Sequence, residues 1–455
     1  MIRIFPILIF TFSLLLILLA CTKKEDVQDN QNNSKYKQYS IPFDKIPAVE
    51  DIVMYEVNLR AFSPEGTIQG VIDRLDHISS LGTNVLWLMP IHPIGEIKSV
   101  NSPYSVKDYK SVSSEYGTLE DMRKLTDAAH AKGMAVIMDW VANHTSWDHI
   151  WINNKSWYTQ DAGGNIIHPP GTNWLDVADL NYSNQEMRAA MTDAMEYWVY
   201  EANIDGFRCD YADGVPYDFW QGAWKKLNAI PGRKFIFFAE GTRNDHFIAG
   251  FDLNFSWSWY AAIKEVFNGQ PVSRIFSAHN TEYNQSTQGK HWLRFTTNHD
   301  ESAWDATPVR LFNGTDGALA ASVVTIFTGG VPLIYGSQEV GVLNNIPFFQ
   351  NSTINWNQNP GLLQNYQKIL QFYISDKTAR TGQNTVYAHT DVACFKKTNG
   401  NADVLIIANL RNRNVNFSIP AALENTQWSQ VLKPESITLS GQLQLKAYEF
   451  YILKK

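Results

Sequence analysis

Between residues 52 and 376 a short apolar run gives way, again and again, to a stretch with helical periodicity, and this alternation constrains the fold more than any other feature of the chain. The apolar runs fall at residues 52–57, 85–90, 134–141, 204–211, 234–240, 251–255, 292–297 and 331–335. Between them, Ile68, Val71, Ile72, Leu75 and Ile78 define one helical face, and Met187, Ala190, Met191, Ala194, Met195 and Trp198 define another. Strands that are apolar on both sides need cover on both faces, which a parallel sheet wrapped by helices supplies. Eight such units over roughly 290 residues suit a closed (β/α)8 TIM barrel better than an open doubly wound sheet.

Two stretches break the alternation. Residues 147–180 are rich in Asn, Gly, Pro and Trp and too long for an ordinary connection, so they predict a short lobe inserted after strand 3. Beyond residue 377 the pattern changes to β-type segments at 386–395, 404–410, 415–419 and 447–453, joined by Asn/Gly turns. This predicts a C-terminal all-β sandwich over 377–455, leaving 41–376 for the barrel. No internal repeat is visible.

The N-terminus reads differently. Residues 2–20 are almost wholly apolar and end Leu18-Leu19-Ala20-Cys21, a small residue followed by Cys. Residues 1–21 therefore resemble a bacterial lipoprotein signal in which Cys21 becomes the lipidated first residue. Residues 22–40 are polar and predict a tether. Glu25-Asp26 after Lys24 resembles a surface-export signal of gram-negative lipoproteins. The expectation is a protein of the cell envelope, lipid-anchored to the outer membrane on its surface or periplasmic side. The other cysteines, Cys209 and Cys394, each sit in an apolar run and read as buried thiols.

A net charge of −7 excludes nucleic acid as a partner, since phosphate binding needs a basic face. The 15 Trp, 20 Tyr and 24 Phe lean toward carbohydrate, because loop aromatics stack on sugar faces. Trp147, Trp151, Trp157, Trp174, Trp257 and Trp304 are the loop candidates.

The chemistry gathers where the strands end. Residues 134–141 carry Asp139 and run into Asn143-His144; 204–211 carry Arg208 and Asp210; 234–240 end in Glu240; 292–297 run into Asn298-His299-Asp300. In a parallel barrel these ends share one rim, the face where substrates bind. Carboxylates crowded there are costly unless used, and paired carboxylates suit acid/base or glycosyl chemistry. Arg208, two residues before Asp210 on one strand face, favours an ionised Asp210. Glu240, after an apolar run and beside two Asp, favours a retained proton.

Asp139-Trp-Val-Ala-Asn143-His144, Gly206-Phe-Arg208-Cys-Asp210, Ala239-Glu240-Gly241 and Thr297-Asn298-His299-Asp300 resemble the four ordered motifs of glycoside hydrolase family 13, the α-amylase family. Leu86-Trp87-Leu88-Met89-Pro90, Tyr104, Asp179-Leu180-Asn181 and the Gly330 to Glu339 stretch match as well. The resemblance implies Asp210 as nucleophile, Glu240 as acid/base and Asp300 as the third carboxylate. It implies that His144 and His299 hydrogen-bond the reacting sugar, that Arg208 orients Asp210, that Tyr104 stacks under the ring and that Asp139 supports Arg208. Retention of configuration implies working carboxyls about 5 to 5.5 Å apart. No cofactor is required. Ca2+ is an option the family raises, with Asn143 and Asp179 as two ligands where six to eight oxygens are wanted; Asp213-Gly214 replaces the family's Lys-His pair.

Motif style is nearest to neopullulanases, cyclomaltodextrinases and oligo-1,6-glucosidases. The expected partner is an α-glucan oligosaccharide or polysaccharide: maltooligosaccharides, cyclodextrins or starch fragments, cut at α-1,4 or α-1,6 bonds. The same site could serve an α-glucanotransferase. A glycan-binding lipoprotein without activity is the reading from another class, and it predicts loss of at least one carboxylate.

Overall fold

In the computed structural model, which describes residues 35–455, all eight apolar runs become parallel strands of one closed barrel. The first three are β1 (Met54–Val57), β2 (Val85–Leu88) and β3 (Ala135–Trp140). A short antiparallel pair, β4 (His144–Ser146) and β5 (Val177–Asp179), forms the neck of the inserted lobe. The barrel resumes with β6 (Gly206–Cys209), β7 (Ile236–Ala239), β8 (Leu253–Phe255), β9 (His291–Arg294) and β10 (Val331–Tyr335). β10 closes on β1 through the register Met54↔Leu333.

The two-residue period of a strand sorts side chains between two apolar layers. Met54, Trp87, Ile137, Phe238, Leu253, Phe255 and Leu293 fill the barrel interior. Tyr55, Leu86, Val136, Phe207 and Phe237 face the helices. The interior parity carried one step further reaches Glu56, Asp139, Arg208, Asp210 and Glu240. The polar constellation is thus the top layer of an otherwise apolar core.

At the start of β6 the neighbouring strand leaves no room for a side chain. A Cβ on Gly206 would lie 2.0 Å from the Ile236 carbonyl oxygen. Glycine is what allows the strand that bears Arg208 and Asp210 to pair with β7.

The C-terminal strands are β11 (Gln383–Tyr387), β12 (Val392–Asn399), β13 (Ala402–Asn409), β14 (Val415–Ser418), β15 (Thr426–Gln430), β16 (Ser436–Leu439), β17 (Gln442–Leu445) and β18 (Phe450–Lys454). Six form an antiparallel sheet in the order β11-β12-β13-β18-β15-β16, and β14 pairs with β17. Val392, Cys394, Leu405 and Ile407 face Val415, Phe417 and Leu445 in the sandwich core. Their neighbours Ala393, Phe395, Val404 and Ile406 join the barrel's outer apolar layer instead. Helix Thr315–Thr328 lies in that layer and is buried from Gly317 to Thr328.

Several expectations need correction. The segment 386–395 is two strands, β11 and β12, and the domain opens with a helical turn, Lys377–Thr381, before its first strand. The face from Ile68 to Ile78 belongs to two short helices, Ile68–Ile72 and Leu75–Ser80, which still bury Ile68, Val71, Leu75 and Ile78. β9 stops at Arg294 rather than running to residue 297. Asn298 then caps the helix His299–Trp304, its Oδ1 accepting from Glu301 N at 2.9 Å, so His299 and Asp300 sit in a first helical turn. Cys209 and Cys394 are free and buried. The signal, Cys21 and residues 22–34 of the tether lie outside the described residues, in which no helix is long and apolar enough to cross a membrane.

Gly206→Ala is expected to destabilise the protein by about 1–3 kcal/mol, because β6 and β7 must separate to admit one methyl group. A urea-unfolding midpoint indistinguishable from the parent's would refute this close approach.

Candidate active site

One buried guanidinium organises the top of the barrel. Arg208 is fully buried on β6, and its Nη1 donates to Asp139 Oδ1 at 2.7 Å and Asp210 Oδ1 at 3.0 Å. Its Nη2 pairs with Glu240 Oε2 at 2.7 Å. Asp210 and Glu240 therefore grip the two ends of the same planar group and face a shared space above it. Asp139 stays wholly buried, accepting from Trp87 Nε1 at 3.3 Å and Tyr104 OH at 3.0 Å. It supports Arg208 from below.

The third carboxylate reaches the cluster from the neighbouring helix turn. His299 Nε2 lies 3.3 Å from Asp300 Oδ2 and 2.7 Å from the Tyr104 hydroxyl, with the His299 and Tyr104 rings stacked. His299 Nδ1 meets Glu56 Oε1 at 2.5 Å. Glu56 is fully buried at the end of β1, and its contact orients the His299 ring. Sequence reasoning passed over Glu56, although it sits at the same inward parity as Asp139 and Glu240.

Four carboxylates around one cation cannot all shed their protons easily. Burial is the largest influence on Asp210 and pushes its carboxyl up; Arg208 opposes, while Glu240, Asp139 and Asp300 add to the push. Arg208 acts in favour of the ionised Asp210, as its place two residues away on the strand led us to expect, but burial acts against it and the same guanidinium also serves Glu240. Burial likewise raises Asp139 to about 6 and, with Glu240 nearby, Asp300 to about 7. Burial and mutual repulsion thus favour retention of protons within this cluster. His144 is lowered to about 4 by burial, so its imidazole is neutral and free to exchange hydrogen bonds with a neutral ligand.

A cavity of about 530 Å³ opens over these groups. Asp210, Glu240, Asp300, Tyr104 and His144 line it, together with Trp174, Tyr211, Trp304, Phe348 and Phe349. Of the loop tryptophans, Trp174 and Trp304 reach the cavity. Trp151 and Trp157 pack in the lobe against each other, Trp257 stacks on Phe255, and Lys98 covers the Trp147 ring. The Trp174 and Tyr211 rings meet edge to face at 5.0 Å. Tyr211 adopts left-handed φ 39° and ψ 51°, a costly conformation for a residue with a side chain, and so directs its N–H at Glu240 Oε2 over 2.8 Å.

The turn after Asp210 and the turn after Glu240 are laced together by Asp213. Its carboxylate accepts from Thr242 N at 2.9 Å, Thr242 Oγ1 at 2.8 Å and Arg243 N at 3.3 Å, and pairs with His246 Nε2 at 2.6 Å. A Cβ on Gly241 would lie 2.4 Å from Asp213 Oδ1, so only glycine lets the carboxylate approach. The residue that departs from the family's Lys-His pair is thus a clamp holding the backbone next to Glu240.

Asn143 and Asp179 lie side by side, with Leu180 N donating to Asn143 O at 3.2 Å. Their side chains bring three oxygens where Ca2+ takes six to eight. The described residues contain no group of three or more His, Cys, Asp or Glu placed to hold a metal ion.

Sequence comparison relates the first half of the chain, with Asp210 and Glu240, to a family model. The model described as alpha amylase, catalytic domain, matches residues 27–164 and 172–256. The α-amylase MalA of Haloarcula japonica is 25% identical over 85% of this chain and 59% of its own. A cyclomaltodextrinase of Thermoanaerobacter pseudethanolicus is 24% identical over 86% of this chain and 71% of its own. The crystal structure of an α-amylase from Lactobacillus plantarum superposes with a TM-score of 0.80 and 26% identity, covering 90% of this chain and 99% of that one. The chain thus spans 59% of the length of the Haloarcula relative.

Burial alone would raise the Asp213 carboxyl, yet His246 and the Thr242 and Arg243 donors hold it down at about 2. A folded-state value below the unfolded value of about 3.9 stabilises the protein above that pH and is lost as pH falls through about 2. Asp213→Asn should therefore cost about 2 kcal/mol at pH 6 and markedly less at pH 3. Urea midpoints at the two pH values check the sign, and an equal loss at both would contradict it.

Proposed function

The chain carries an α-amylase-family catalytic domain, and from that premise we propose that it is a retaining hydrolase of α-glucans, cutting α-1,4-linked maltooligosaccharides or starch fragments. The observation that carries this reading is the pair of carboxylates, Asp210 and Glu240, facing one cavity from opposite ends of the Arg208 guanidinium. Shared hold on one small planar group favours the close spacing a retaining pair needs.

In the proposed reaction a glucosyl unit lies on Tyr104 with its anomeric carbon above Asp210. Asp210 attacks that carbon while Glu240 gives its proton to the departing glycosidic oxygen, and a β-glycosyl ester forms as the C–O bond breaks. Glu240, now a carboxylate, takes a proton from water; the water oxygen attacks the same carbon and Asp210 leaves. Asp300 and His299 hold ring hydroxyls, and His144 adds a hydrogen bond from the lobe side. Substrate binding expels water from around the carboxylates and strengthens the attraction of Arg208 for the ionised Asp210. The steps need no cofactor, so removing divalent cations with EDTA is expected to leave kcat unchanged.

Trp174 and Tyr211 stand beside Glu240 and offer an aromatic surface to a sugar acceptor in place of water. Transfer is therefore the second reading. We further infer, from the run ending Leu18-Leu19-Ala20-Cys21, that the enzyme is tethered by lipid to the cell envelope and works on glucans there.

Asp210→Asn and Glu240→Gln are each expected to lower kcat by at least about 10³-fold while leaving the unfolding midpoint close to the parent's. Incubation with maltoheptaose and separation of the products decides the rest. Shorter sugars alone mean hydrolysis, and additional sugars longer than seven units mean transfer. Full activity in either folded variant would sink the assignment.

A further inference from the structure

Three rim loops meet on the side of the cavity away from Glu240: residues 99–102 after β2, the helix His299–Trp304 after β9, and residues 345–350 after β10. Hydrogen bonds stitch them together from both sides. The buried Arg60, held by Glu115 at 2.7 and 2.9 Å, donates to Phe348 O at 2.9 Å and Asn101 O at 2.8 Å. Asn101 Nδ2 donates to Phe349 O at 2.6 Å. On the opposite flank Asn345 Nδ2 donates to Ala303 O at 3.0 Å, and Ile346 N to Ser302 O at 3.2 Å.

Between these two rows of anchors stand three rings. Trp304 lies 5.4 Å from both Phe348 and Phe349, which are 4.7 Å from each other. Phe348 also sets its edge against Tyr104 at 6.0 Å and His299 at 5.9 Å. The three rings line the catalytic cavity and equally a second depression beyond it, bounded by Ala303, Asn345, Pro347 and Gln350. They are a partition between the two.

The chemistry tells which part of a substrate meets this partition. The leaving oxygen must lie at Glu240, so the departing portion runs along Tyr211 and Trp174. The portion that becomes bonded to Asp210 extends the other way, past Asp300 and His299, and arrives at the rings. We propose that Trp304, Phe348 and Phe349 wall off the glycone end of the cleft, so that a glucan enters by its non-reducing end and loses a mono- or disaccharide in each turnover. This rests on the hydrolase reading above and adds to it the position of the cut. A cyclic glucan, which has no chain end to present, is excluded by the same wall.

Maltoheptaose carrying a fluorophore at its reducing end tests the proposal. The protein is expected to release unlabelled glucose or maltose and to leave labelled chains one or two units shorter at early times. Trp304→Ala, Phe349→Ala and the double variant open the wall at exposed or half-exposed rings, without touching the buried Phe348. At matched conversion each should raise the share of labelled mid-chain products, the double variant by at least about fivefold. The ratio is independent of rate, so loss of activity does not mask it. Mid-chain products from the unaltered protein at the outset, or an unchanged product pattern in the double variant, overturn the wall. No cleavage of labelled or unlabelled maltoheptaose or of soluble starch overturns the hydrolase reading, and the wall's role with it.

Discussion

The Arg208 guanidinium is the interaction on which the site depends. It is a fully buried cation at the top of an apolar barrel interior, and three carboxylates from three different strands converge on it. Burial of a lone charge would be prohibitive, and burial of the carboxylates without it would leave them all protonated. Together they fix one another's rotamers, with Tyr104 and the Tyr211 N–H as further donors. Side chains at the ends of rigid strands, braced by a fixed ion network, are preorganised before any ligand arrives.

Around that fixed centre the rim supplies specificity by less regular means. Tyr211 stores backbone strain to aim an N–H at Glu240, and Asp213 ties the two catalytic turns to each other. Phe348 is brought to Tyr104 by a hydrogen bond from Arg60, nearly three hundred residues away in sequence, to a main-chain carbonyl. In the proposed function the centre supplies the bond chemistry and the rim selects the sugar.

This division explains what could be read from the amino-acid sequence. The eight strands, the lobe and the all-β domain were legible because burial on both faces and two-residue alternation leave strong periodic signals. Asp139, Arg208, Asp210 and Glu240 were legible because they continue an apolar strand on its inward parity. Glu56 obeys the same parity and was missed because no recognisable neighbour drew attention to it. His299 and Asp300 were assigned to a strand end, whereas Asn298 caps a helix there. Phe348 and Phe349 lie in a loop without periodicity, so their place beside the cavity is set by long-range hydrogen bonds to carbonyls, which side-chain patterns do not encode. The role of Asp213 was invisible for the same reason, since its partners are mostly backbone N–H groups.

The helix Thr315–Thr328 is apolar all round its circumference and buried from its third residue onward. Its inner side rests on the barrel and its outer side on the sheet built around β12 and β13, whose residues alternate between two cores. The C-terminal sandwich is therefore the outer skin of one flank of the barrel. Melting either body strips the cover from this helix, so heat or denaturant should meet a single cooperative unit in which the catalytic rim and the distant sandwich stand or fall together.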